Sequence, residues 1–411
     1  MMSSLFTPYK LGPVTLRNRT IRSAAFEAMC KDNRPTDALY NYHLSVARGG
    51  IGMTTLAYAA VCRSGLSFNT QLLMCDEIIP DLRRITDAIH KENAAASIQI
   101  GHCGNMTHRS TCGQTPISAS NGFNLYSPSI VRRMKKSEIH DVIKSFGEAT
   151  HIAYESGFDC VEIHAGHSYL LSQFMSDRLN HRKDEFGGSF DNRIRFAKLA
   201  LEECLNAAQG KIAVILKMNM RDGCRRGMDI DESIELAKVF QKTGADGIVL
   251  SGGCVNITPM YVMRGKMPIN SFTYSMPQWW LKLGIRMFGN MLIKPYPYKD
   301  LYFLEDAMRF RKELPDMNLI YVGGVSSRES ADKVIDSGFQ LLQMARSLVC
   351  EPDFVNKMQN DAHYVSKCEH ANHCVASIYN RCMICHQNET EPLPASITKE
   401  INRIVRENQK A

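Results

Sequence analysis

Glu162-Ile163-His164-Ala165-Gly166-His167-Ser168-Tyr169-Leu170-Leu171 is the stretch from which the rest of the chain is read. The residues before it, Gly157-Phe158-Asp159-Cys160-Val161-Glu162-Ile163, have the character of a short apolar strand. His164 and His167 then fall just past the strand end, and Tyr169 stands on the loop that follows. Two imidazoles on one carbonyl oxygen make the carbon conjugated to it more electrophilic, and a nearby phenol can protonate the adjacent carbon. That combination suits reduction of an activated carbon–carbon double bond. The competing reading is that the three side chains only satisfy one another's hydrogen bonds.

Outward from this stretch, the hydrophobic period predicts eight short strands, at residues 20–25, 51–57, 96–100, 160–164, 213–218, 247–251, 319–322 and 341–345. Amphipathic helical patterns fall between them, at 78–93, 137–156, 194–208, 230–243, 301–313 and 328–337. Alternation of this kind implies an α/β chain whose parallel sheet closes into a (β/α)8 TIM barrel, with the site on the loops after the strands. A doubly wound open sheet would want Gly-x-Gly-x-x-Gly after the first strand, and the chain has none there.

Two segments break the repeat. Residues 255–300, after the sixth strand, carry clustered Met with Pro277, Trp279 and Trp280, and are expected to form an insertion at the barrel mouth. A lid or apolar wall for a bulky substrate is one reading, and ordinary packing or a subunit contact in a homo-oligomer is the other. A membrane-surface helix is disfavoured because the basic residues are few. The tail, 361–411, holds a cysteine cluster and a polar helical stretch. The expected organisation is therefore a barrel over 1–360 and an extension over 361–411.

Composition bounds the function classes. With 44% hydrophobic and 22% charged residues, the chain of 411 is an ordinary globular one. Its net charge of +7 comes without a basic stretch interleaved with aromatics, which argues against nucleic acid as a partner. No run is apolar enough for a membrane span, and the N-terminus lacks the pattern of a signal peptide. Fourteen cysteines scattered through strands and helices fit a reducing cytoplasm.

Downstream of the paired histidines runs Asn180-His181-Arg182-Lys183-Asp184-Glu185-Phe186-Gly187-Gly188-Ser189, a polar loop that opens a helix. Together the two segments resemble the old yellow enzyme family of flavin mononucleotide (FMN) oxidoreductases, including the flavin domain of 2,4-dienoyl-CoA reductases, across residues 5–360. The resemblance implies an FMN-dependent ene-reductase. NADH or NADPH would reduce the flavin, and an enone, bulky polycyclic ones included, would reoxidise it.

Residue roles follow from the same resemblance. His164 and His167 would hold the substrate carbonyl and Tyr169 would protonate the α-carbon. Gln99 would meet the flavin pyrimidine, and Lys217 would support the reduced ring, unless it merely pairs with an acidic strand neighbour. Ala24 and Ala25 offer backbone contacts, while Phe26 stands where the family often has Thr or Cys near the flavin O4 edge. Gly323, Gly324, Ala345 and Arg346, after strands seven and eight, would take the phosphate.

The larger relatives of this family bind a four-iron cluster through tail cysteines. Here Cys368, Cys374, Cys382 and Cys385 have different gaps, and Ala371 replaces an expected cysteine. An iron-sulfur cluster or zinc is therefore disfavoured, no metal ligand is assigned, and free buried thiols are expected. Two other activities compete: flavin-dependent amine demethylation on the same barrel, and a Schiff-base aldolase using Lys217.

Overall fold

The computed structural model describes residues 4–125, 127–274, 276, 278–379 and 381–409; Pro277 of the insertion and the outermost ends of the two expected segments lie outside them. Eight parallel strands close into a barrel. They are β1 (Thr20–Arg22), β2 (Met53–Ala60), β3 (Ala95–Gly101), β4 (Cys160–Ala165), β5 (Ala213–Asn219), β6 (Gly247–Ser251), β7 (Leu319–Val322) and β8 (Leu341–Met344). The expected (β/α)8 barrel is thus the observed fold. Strand register already sets the site, because Glu162 pairs with Gln99 of β3 and His164 with Lys217 of β5.

Continuous apolar strands such as Ala213–Asn219 are buried along their whole length, as a parallel sheet covered by helices requires. Some of the helices between strands start on capping side chains. Ser189 Oγ accepts from Asn192 N at 3.4 Å, and Asp229 Oδ1 from Glu232 N at 3.0 Å. One end of the barrel is shut by an N-terminal hairpin, Tyr9–Leu11 against Val14–Leu16, whose Leu11 and Leu16 pack with Ile21, Ile215, Val249, Ile320 and Leu341. The other end, where the strands run out, is left for chemistry.

The Asn180 to Ser189 loop is locked rather than reactive. Asn180 Nδ2 donates to Phe174 O at 2.6 Å and Phe186 O at 2.7 Å, and Arg182 pairs with Asp184 at 2.6 Å. Arg182 Nη1 also reaches Met134 O at 2.8 Å, tying the loop to the excursion after β3.

The insertion divides in two. Its first part, through Met260, Met267, Ile269 and Phe272, packs against Ala376 and Tyr379 of the tail. Its helix Trp279–Leu292 buries only Gly289 and leaves Trp279, Trp280, Leu283, Met287, Phe288, Met291 and Leu292 exposed to solvent. The tail lies on the barrel, where Cys374, Met383 and Cys385 pack with Val349, Cys350, Ala25 and Tyr42. Among the described residues no helix is long and apolar enough to cross a membrane.

Candidate active site

The centre of the open end is organised by Glu162, which is fully buried. Its carboxylate accepts from Gln99 Nε2 at 2.6 Å, Gln343 Nε2 at 2.6 Å and Lys217 Nζ at 2.9 Å. A buried carboxylate demands such partners. Lys217 Nζ also donates to Ser23 Oγ at 3.2 Å. The acidic strand neighbour that the sequence offered as an alternative partner for Lys217 is therefore present. Burial lowers the Lys217 pKa, and the Glu162 charge opposes that shift. Its nitrogen is held by Glu162 and Ser23, a poor disposition for the free amine an aldolase would need.

A second buried pair shapes the loop after β1. Arg22 meets Glu27 at 2.6 Å and donates to Thr55 O at 2.7 Å and Ala25 O at 2.9 Å. This leaves Ala24, Ala25 and Phe26 partly exposed at the mouth. Phe26 stacks on Phe68 with centroids 4.9 Å apart.

The end of β4 brings the three expected catalytic side chains together. His164 Nδ1 accepts from Gly166 N at 3.4 Å, which places the ring proton on Nε2. His167 and Ser168 have φ of +58° and +62°, a left-handed turn that neither residue type prefers. The turn is held from β5 and β6: His167 N donates to Asn219 Oδ1 at 3.0 Å, and His167 Nε2 bonds Ser251 Oγ at 2.7 Å. The two imidazoles stand perpendicular with centroids 5.1 Å apart, and Tyr169 lies 4.5 Å from His164.

Burial decides the protonation states here. It drives the His164 pKa well down and that of His167 to about 3, with the Lys217 charge adding to both and His167 also acting on His164. Burial pushes Tyr169 up to about 12. Near neutral pH the site therefore holds two uncharged imidazoles and a protonated phenol. Tyr58, from β2, packs edge-on against Tyr169 with ring centroids 5.1 Å apart, and its hydroxyl is bonded to Ser67 Oγ. The sequence reading missed Tyr58, Ser251, Asn219 and Gln343, because each acts across strands and carries no local motif.

At the far side, Gly323 and Gly324 have φ of +132° and +75°. A Cβ on Gly324 would stand 2.7 Å from Leu301 N, and one on Gly323 2.8 Å from the Phe303 ring. Packing alone thus requires glycine at both positions. Arg346 follows Ala345, lies over the Tyr298 ring at 5.5 Å and donates to Asn372 Oδ1 at 2.8 Å. Among the described residues no carboxylate pairs with it.

These residues fit a flavin mononucleotide. Arg346, after β8, is a cation with no carboxylate partner among the described residues, suited to a phosphate. Gln343 Oε1 is buried without a hydrogen bond at the centre, and Lys217 has a third N–H beyond the two it uses.

Tail residues Cys368, Cys374 and Cys385 share one apolar cluster with Cys350 of the barrel, while Cys382 is exposed. The neighbouring thiols of Cys350 and Cys385 push each other's pKa apart, Cys385 lowered and Cys350 raised, with His386 adding to the fall at Cys385. Burial raises Cys374 to about 12. Among the described residues no group of three or more His, Cys, Asp or Glu side chains is disposed to hold a metal ion.

Comparison with known proteins agrees with the barrel fold. The sequence pattern of the NADH:flavin oxidoreductase / NADH oxidase family matches residues 4–267. A 4,4'-dithiodibutanoate disulfide reductase of Rhodococcus erythropolis is 36% identical over 384 residues, spanning 93% of this chain and 95% of that protein. An NADPH dehydrogenase of Bacillus subtilis is 30% identical over 269 residues, 64% of this chain and 78% of that protein. Among solved structures, the old yellow enzyme homologue from Zymomonas mobilis superposes with a TM-score of 0.69 at 22% identity, covering 95% of this chain and all 100% of that one. A 2-naphthoyl-CoA reductase gives 0.80 at 20% identity, and this chain spans 58% of its length.

Proposed function

The chain belongs to the NADH:flavin oxidoreductase / NADH oxidase family and is a flavin-dependent NAD(P)H oxidoreductase of the old yellow enzyme type; from that premise we propose that it reduces the double bond of an α,β-unsaturated carbonyl compound. The observation that carries the proposal is the meeting of two neutral imidazoles with a protonated phenol, His164, His167 and Tyr169, at one barrel mouth.

Gln99, Lys217, Ala24 and Ala25 would border the ring of a flavin mononucleotide, and Gly323, Gly324, Ala345 and Arg346 its phosphate. The flavin, when bound, supplies the two-electron relay between nicotinamide and substrate. His164 Nε2–H donates to the substrate carbonyl oxygen, and His167 joins it through the nitrogen that Ser251 does not engage. Imidazoles whose pKa lies so low stay neutral and polarise the carbonyl by hydrogen bonding. Tyr169 gives its hydroxyl proton to the α-carbon, and the Tyr58 hydroxyl stabilises the phenolate left behind.

The test is anaerobic. The purified yellow protein should bleach with NADPH or NADH and recover its colour on addition of 2-cyclohexenone; bleaching without recovery by any enone sinks the proposal. A second reading, reduction of an aliphatic disulfide at the same mouth, is supported by the 36% identity to the Rhodococcus erythropolis disulfide reductase along nearly the whole chain. Recovery of colour with a dithiodicarboxylate and not with enones would favour it.

A further inference from the structure

Helix Trp279–Leu292 is the largest feature that the flavin site does not explain. Trp279, Trp280, Leu283, Met287, Phe288, Met291 and Leu292 recur at helical spacing and are all exposed, Trp279 and Met291 at 74% and Leu292 at 70%. Side chains of this size left in water on one face mark a surface that something covers.

The charges around the helix say what that something is. Between Asp246 and Asp300 the chain has no acidic residue, while Lys282, Arg286, Lys294 and Lys299 lie on or just beyond the helix. Lys282 Nζ bonds Tyr274 O at 3.4 Å and Arg286 Nε bonds Thr273 Oγ1 at 3.1 Å, which seats these cations along the flank beside the apolar stripe. A second copy meeting the same face about a two-fold axis would set Lys282 and Arg286 against their own counterparts. An anionic bilayer answers both features, since acyl chains accept the Trp, Phe, Leu and Met side chains and lipid headgroups meet the lysines and arginine.

We propose that helix Trp279–Leu292 lies in the interface of an anionic lipid membrane, with its apolar stripe inserted and its basic flank on the headgroups. A helix of 14 residues lies along such a surface and does not cross it. The small number of basic residues in the sequence speaks against a membrane-surface helix; the exposed stripe is the observation that argues for one.

The chain carries its own reporter, because its only two tryptophans are Trp279 and Trp280. Holoenzyme is mixed with vesicles of phosphatidylcholine alone or of phosphatidylcholine with phosphatidylglycerol, and Trp emission and vesicle flotation are followed. Emission should shift to the blue and the protein should float only with the anionic vesicles, and salt should reverse both. Leu283→Glu combined with Met287→Glu keeps both reporters and should weaken vesicle binding roughly tenfold or more, while NADPH oxidation in solution is unchanged. Unchanged emission with no flotation on anionic vesicles overturns the proposal, as does undiminished binding by the double variant. Emission that is already blue in buffer and moves to the red on dilution, with a matching change in sedimentation, also overturns it and identifies a second copy as the cover.

Discussion

Glu162→Gln is the most informative single substitution in the barrel. Glu162 is fully buried and Lys217 is 2% exposed, so the change leaves an ammonium in the interior with no counter-charge. Removing one partner of a buried pair costs about 3–5 kcal/mol. The penalty should carry a pH signature. The Lys217 pKa is already lowered by burial, and loss of Glu162 lowers it further. Between that folded value and the ordinary lysine value the unfolded chain binds one more proton than the folded one. Stability of the variant should therefore rise with pH across that window, by up to about 1.4 kcal/mol per pH unit. Urea titrations of the flavin-loaded wild type and variant from neutral to alkaline pH measure this directly. Adding Lys217→Met should restore much of the loss, since the amide introduced at position 162 can still bond Gln99 and Gln343. A variant as stable as wild type at neutral pH, with no rise toward alkali, would refute the buried pair as the organiser of the site.

Four further outcomes are expected. Tyr169→Phe should slow reoxidation of the reduced enzyme by an enone by roughly 100-fold or more while leaving flavin reduction by nicotinamide nearly untouched, and equal losses in both half-reactions would reject Tyr169 as the proton donor. Because His164 and His167 stay neutral far below the ordinary histidine value and Tyr169 stays protonated up to about 12, the enone half-reaction should show no inflection near pH 6.5, which stopped-flow rates from pH 5.5 to 9 would check. The same depressed histidines bind protons only when unfolded, so stability, unlike rate, should fall as pH drops from about 6.5 toward 3. Iron, zinc and acid-labile sulfide in purified protein should each fall well below one per chain, with the tail cysteines alkylated once the protein is unfolded; stoichiometric iron with sulfide would contradict a thiol cluster.

The eight barrel strands were legible because strands covered by helices are mostly apolar, and the run 213–216 ahead of Lys217 states that directly. The helix Asp37–Arg48 between β1 and β2 was not legible. Its buried face is made of Leu39, His43, Val46 and Ala47, and buried His43 blurs the apolar period. The His164, His167 and Tyr169 constellation could be read because its members are neighbours in sequence. Tyr58, Ser251, Asn219 and Gln343 could not, because only barrel closure brings them to it. Lys217 shows the limit of reading one strand at a time, since its counter-charge, Glu162, stands two residues before His164 on the adjacent strand. The insertion's apolar content was visible, but the direction its second helix faces depends on packing that composition does not encode.

The chemistry proposed for this mouth passes a hydride to an activated alkene and a proton to the neighbouring carbon. Turnover of 2-cyclohexenone with NADPH deuterated at the transferable position, followed by mass and NMR analysis of the product, tests it most directly. The expected product is cyclohexanone with deuterium at the β-carbon and a solvent-derived hydrogen at the α-carbon. NADPH consumed with no saturated ketone formed would contradict it.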